Sequence, residues 1–163
     1  MNIALIGARA SGKSTVCRLL SKKLDKKIVS AEDELLKKTK LNMPSLIKKS
    51  SLRGYYDIEC EIIEKMSDLD DCIFDTTHSI VMRNENIINL KKNSIVVLLT
   101  ADMKTIANRM KTKKDFGKND DSLQQEDYES RCRNAADYAI DTSGLSPEEI
   151  CDLISGYVLD EIR

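Results

Sequence analysis

Gly7-Ala8-Arg9-Ala10-Ser11-Gly12-Lys13-Ser14 spells GxxxxGKS, and it follows the apolar run Ile3-Ala4-Leu5-Ile6 without a break. A buried strand that feeds a glycine-rich turn opening a helix is the setting in which this spacing cradles phosphate. Gly7 and Gly12 reach backbone angles closed to other residues and leave no side chain between backbone and ligand. The amides from Gly7 through Ala8, Arg9, Ala10, Ser11, Gly12, Lys13, Ser14 and Thr15 can then converge on phosphate oxygens at a helix N-terminus, where the macrodipole favours negative charge. In such a loop the lysine, Lys13, reaches the β- and γ-phosphates, and the hydroxyl of Ser14 ligates Mg²⁺. The segment predicts a nucleoside triphosphate site.

Outward from that loop, short apolar runs alternate with longer stretches of helical period. That alternation predicts an α/β fold of three layers, a five-stranded parallel sheet between two helix layers. The strands are expected at Asn2–Ile6, Lys27–Ser30, Cys72–Asp75, Ser94–Thr100 and Tyr138–Asp141. Ile95-Val96-Val97-Leu98-Leu99 is continuous and largely β-branched, as a strand covered on both faces should be. Helices are expected at Lys13–Leu24 and over residues 32–38, 44–49, 52–66, 103–110, 123–136 and 147–159. Ser146 is suited to N-cap the last of these, with Pro147 in its first turn and Glu148 and Glu149 complementing the dipole. Residues 111–122 hold four lysines, three aspartates and one glycine with no apolar rhythm, and read as a mobile lid loop.

The 163 residues suit a single domain, 1–163, with one core and no linker. The 26 basic and 27 acidic side chains nearly cancel, so no global field points to nucleic acid or an anionic membrane. Apolar runs of four or five residues are too short to span a bilayer. The immediate entry into a strand leaves no signal peptide, and five widely spaced cysteines without a metal pattern suggest free thiols. A cytoplasmic location is expected.

Two acids stand where chemistry would need them. Asp75 closes the apolar strand Cys72-Ile73-Phe74-Asp75, the pattern of an aspartate that binds Mg²⁺ directly or through water. Asp33 follows the second strand, at the carboxyl edge where open α/β sheets hold ligands. Thr76, Thr77 and His78 continue from Asp75 into the expected acceptor pocket, where they can hydrogen-bond a small polar molecule. Arg53 and Arg131 are candidate clamps for an anionic acceptor, with Arg133 beside the latter. Arg9, inside the loop, can lean toward either the nucleotide or the acceptor.

Over essentially its whole length the chain resembles the shikimate kinase family of P-loop small-molecule kinases. The resemblance lies in the GKS loop, in Ala31-Glu32-Asp33-Glu34-Leu35-Leu36 after the second strand, in the helix ending at Arg109, and in the closing stretch Ala136 to Ile150. It implies an ATP-dependent phosphotransferase that moves the γ-phosphate of ATP, with Mg²⁺, to a hydroxyl of a small polar metabolite such as shikimate. It implies that Asp33 contacts the acceptor hydroxyl and acts as base beside Lys13, and that Arg109 packs against the adenine. It also implies that residues 111–122 close over ATP to exclude water. The chain departs from the family pattern at the acceptor end. Tyr55-Tyr56 stands where the family carries Phe-Arg, placing Tyr56 at the clamp position with Arg53 a turn earlier, and Asp75-Thr76-Thr77-His78-Ser79 replaces a triple glycine. Two other readings are a nucleoside or nucleotide kinase, with Tyr55 and Tyr56 stacking on a base, and an NTP-binding regulatory module without catalysis.

Overall fold

Ile3 and Leu5 alternate with Ala4 and Ile6 along the first strand, and all four are fully buried, so each face of this strand meets its own layer of helices. Burying a side chain of isoleucine or leucine size contributes roughly 1.5–3 kcal/mol, so the central strands anchor both layers. The computed structural model describes residues 1–111 and 125–163. Five strands, β1 (Asn2–Ile6), β2 (Lys27–Ser30), β3 (Cys72–Asp75), β4 (Ser94–Thr100) and β5 (Tyr138–Asp141), form one sheet in the order β2-β3-β1-β4-β5. Every pairing is parallel, with Leu5 opposite Asp75 on one side and Val97 on the other. All five strand boundaries coincide with those expected from sequence.

The helices are α1 (Lys13–Leu24), α2 (Ala31–Thr39), α3 (Met43–Ser50), α4 (Leu52–Ser67), α5 (Asn84–Lys91), α6 (Met103–Lys111), α7 (Gln125–Ala135) and α8 (Pro147–Ile162). One face of the sheet packs Val16, Cys17 and Leu20 of α1 and Ile150, Ile154 and Val158 of α8. The other receives α2 to α5 and α7 around Phe74, Val96, Leu98, Tyr55 and Ile63. The Ser146–Glu149 capping box opens α8 as expected, with Pro147 in the first turn. The expected lid falls on residues 112–122, outside the described residues, apart from Lys111 at the end of α6.

Helix α5, and the 3-10 turn Ile80–Met82 before it, were not expected from sequence. Asn84, Asn86 and Asn89 are poor helix formers, and tertiary contacts supply what propensity lacks. Leu90 is fully buried, and Asn86, also buried, donates from Nδ2 to the Ile80 carbonyl at 3.1 Å. Because β1 sits between β3 and β4, the chain passes over it in going from one to the other. Ligand crevices of open α/β sheets lie at such a reversal, outside the carboxyl ends of the strands. The GKS loop leaves β1 at that point. Among the described residues, no helix is long and apolar enough to cross a membrane.

Candidate active site

The loop after β1 has the backbone its motif requires. Gly7 sits at φ +144°, and a Cβ there would lie 2.4 Å from the Leu99 carbonyl oxygen, so the approach of β1 to β4 excludes any side chain. Gly12, at φ +96°, is the N-cap of α1. Lys13 is buried, and its Nζ donates to the carbonyls of Gly7 at 2.7 Å and Ala8 at 3.0 Å, holding the ammonium across the mouth of the loop. Burial lowers its pKa, opposed first by the charge of Asp75 and next by that of Glu32. Ser11 Oγ is buried beneath the loop with no hydrogen-bond partner among the described residues. A cradle of amides with an orphaned hydroxyl fits a phosphate chain.

A cavity of about 950 Å³ runs from Gly12, Lys13, Ser14 and Thr15 to the carboxyl ends of β2 and β3. Glu32, Asp33, Asp75, Thr76, Thr77 and His78 line it, so both expected acids open onto the same space as the phosphate loop. Ser30 caps α2 by accepting from the Asp33 amide at 3.3 Å. The charge of Glu32 is felt at Lys13, whereas that of Asp33 is felt at Lys37 on the outer side of α2. Glu32 is therefore a site acid beside Asp33 that the sequence reading passed over.

The threonines of the loop after β3 border the cavity while their hydroxyls bond to the protein itself. Thr76 Oγ1 donates to the Leu5 carbonyl at 2.6 Å, and Thr77 Oγ1 donates to Glu59. Glu59 is only 2% exposed, and its Oε1 also accepts from Tyr55 at 2.9 Å and Ser79 at 2.6 Å. Burial raises its carboxyl pKa, and the hydroxyl donors oppose that rise. The Tyr55 phenol is pushed well above its ordinary range, mainly by burial. This hub ties α4 to the loop carrying His78. Its sequence signal was a carboxylate on the apolar stripe Tyr55, Tyr56, Ile62, Ile63 and Met66 of α4.

His78 is held neutral. Burial, and then the charges of Arg9 and Lys13, depress its pKa to about 3. Arg9 Nε donates to its Nδ1 at 3.3 Å, and Tyr128 donates to its carbonyl oxygen at 2.7 Å. Arg9 and His78 also line a second cavity, about 600 Å³, bounded by β4, α6 and α7. Arg109 reaches back from α6, donating to the Ala10 carbonyl at 3.0 Å and to Thr142 at 3.4 Å.

Three expected acceptor residues are not brought to either cavity. Arg53 is exposed on α4, and Arg131 donates to the Val81 carbonyl at 3.4 Å. Tyr56 is buried, tilted 56° to Tyr55, and lies beneath the guanidinium of Arg83. Tyr55 borders the large cavity, whereas Tyr56 lines neither cavity. Among the described residues no cluster of three or more His, Cys, Asp or Glu side chains is placed to hold a metal. Ser14 and Asp75, which share the large cavity, are oxygen donors of the kind Mg²⁺ uses together with substrate phosphates.

Comparison with known proteins gives a consistent picture. The family model described as shikimate kinase matches residues 9–158. The shikimate kinase of Thermodesulfovibrio yellowstonii is 31% identical, over 94% of this chain and 92% of its own length. That of Caldicellulosiruptor saccharolyticus is 30% identical, over 90% and 89%. In fold, the chain is similar to the Acinetobacter baumannii shikimate kinase solved in complex with shikimate, with a TM-score of 0.83 at 24% identity. That match covers 98% of this chain and 93% of the other.

Proposed function

The chain belongs to the shikimate kinase family and is an ATP-dependent kinase acting on a small metabolite; from that premise we propose how its residues divide the work and which acceptor it takes. The proposed reaction transfers the ATP γ-phosphate to a hydroxyl of shikimate or a closely similar hydroxylated metabolite. One observation carries it: a single cavity joins Lys13 and Ser14 to Glu32, Asp33 and Asp75.

Phosphoryl transfer asks a protein mainly to align reactants and neutralise developing charge. The loop amides and Lys13 grip the triphosphate, and Lys13 exchanges its two carbonyl contacts for phosphate oxygens. Ser14 and Asp75 are the residues that would hold Mg²⁺, which when bound would supply positive charge to offset that of the phosphates. Glu32, whose charge is felt at Lys13, orients the acceptor hydroxyl and takes up its proton. Asp33 lines the same space and borders the acceptor. Arg109 braces the loop through the Ala10 carbonyl and packs toward the base.

The test is mass spectrometry of ATP-dependent phosphorylated product from shikimate, with Glu32→Gln and Asp33→Asn compared. Glu32→Gln should lower kcat by roughly 10²–10⁴ with little change in the KM for ATP, and Asp33→Asn should have the smaller effect. An inverted order would return the base to Asp33. Phosphorylation of other metabolites but not of shikimate would overturn the acceptor assignment and leave the kinase reading standing.

A further inference from the structure

Three cationic side chains line the large cavity: Arg9, Lys13 and Arg18. Lys13 is committed to phosphate by its place in the motif, and Arg18 is exposed on α1. Arg9 differs from both. It is half-buried and lines both cavities, where its planar guanidinium can take a carboxylate bidentately. Among the described residues its partners are weak and uncharged. Nε donates to His78 Nδ1 at 3.3 Å, Nη2 lies 3.8 Å from Met43 Sδ, and no carboxylate is within ion-pairing distance. A half-buried cation without a counter-ion is costly unless something anionic arrives to pair with it.

The contacts also aim it. Because His78 accepts at Nδ1 while neutral, its proton sits on Nε2, and the ring anchors only one edge of the guanidinium. A thioether sulfur is a weak acceptor, so the contact to Met43 yields readily to a carboxylate. Meanwhile Arg53, Arg131 and Tyr56, the candidates on α4 and α7, face neither cavity.

We propose that Arg9, aimed by His78, is the residue that binds the carboxylate of the acceptor, instead of the arginines on α4 and α7. The inference rests on the kinase reading above and adds the residue that selects an anionic acceptor. The acceptor then lies with its anionic group on the phosphate loop's own arginine and its reacting hydroxyl toward Glu32. His78 is a positioning residue.

The experiment uses the full chain with shikimate and with its uncharged methyl ester, measuring kcat/KM for each in the wild type, Arg9→Gln, His78→Leu and His78→Asn. The wild type should prefer the acid by about 10²-fold, the size expected for a desolvated charge pair. Arg9→Gln should collapse that ratio below about 10, through the KM for the acid, with the KM for ATP showing that the loop is intact. His78→Leu should narrow the ratio in the same direction. His78→Asn, whose amide oxygen can stand in for Nδ1, should restore most of it, which loss of structure alone would not do. An Arg9→Gln enzyme that keeps the wild-type ratio overturns the proposal. So does a panel in which a neutral polyol or nucleoside is the best acceptor, and that result leaves the kinase reading standing. No phosphorylated product from any acceptor overturns both.

Discussion

The two ends of the large cavity are built on different principles. At the nucleotide end the backbone does the recognising: Gly7 is forced by the closeness of the Leu99 carbonyl, Gly12 turns into α1, and Lys13 crosses the loop within one continuous segment. At the acceptor end side chains do it, drawn from the phosphate loop, α2, the start of α3, α4 and the loop after β3. A contiguous backbone device tolerates little change, because each atom answers to a fixed spacing. A pocket gathered from five segments can exchange its parts, and here Arg9 is the proposed charged contact while a buried carboxyl hub holds the wall.

That contrast predicts unequal responses to mutation. The largest belongs to the nucleotide end. Lys13→Ala should reduce turnover by at least roughly 10²–10³, the loss typical of removing one charge-stabilising donor, whatever acceptor is supplied. Steady-state kinetics with two different acceptors checks it, and an effect confined to one acceptor would erase the distinction between the ends. The acceptor end should respond more moderately. Glu59→Leu leaves the hydroxyls of Tyr55, Thr77 and Ser79 without their shared acceptor and should destabilise the fold by about 1–3 kcal/mol in denaturant unfolding. The surviving enzyme should show a raised KM for acceptor and an ordinary KM for ATP. Glu59→Gln, which keeps a carbonyl acceptor, should be milder on both measures.

The smallest effect sharpens the comparison through pH. His78 titrates near 3 in the fold against an ordinary 6.5, so the unfolded chain binds the extra proton first as pH falls. Its contribution to stability is full above 6.5 and is lost progressively toward 3. Between pH 7 and pH 6 the loss from this residue is roughly 0.7 kcal/mol. The difference in unfolding free energy between wild type and His78→Asn across that interval isolates it, and a slope of opposite sign would place His78 in a different environment.

Legibility in the sequence followed the same division. The strands were readable to the residue because β1, β3 and β4 are continuous apolar runs buried on both faces. The phosphate loop was readable because its spacing is local. Helix α5 was not, because its asparagines carry no helical signal and only packing through Asn86 and Leu90 sustains it. Among Glu32, Asp33 and Glu34 no pattern says which acids border the cavity; in the structure Glu32 and Asp33 do. Arg53 and Arg131 drew attention as arginines near the expected clamp positions, yet helix rotation carries them away from the cavity. Glu59 left a trace, a charged residue on an apolar stripe; the hydroxyls of Thr76 and Thr77, which border the cavity, bond to the Leu5 carbonyl and to Glu59.

The most direct measurement is a crystal structure of the chain with a non-hydrolysable ATP analogue, Mg²⁺ and shikimate. The expected result has the terminal phosphate on Lys13, the acceptor carboxylate on Arg9, and a hydroxyl between that phosphate and Glu32. An acceptor seated with its carboxylate away from Arg9, or a terminal phosphate directed away from Glu32 and Asp75, would contradict the account.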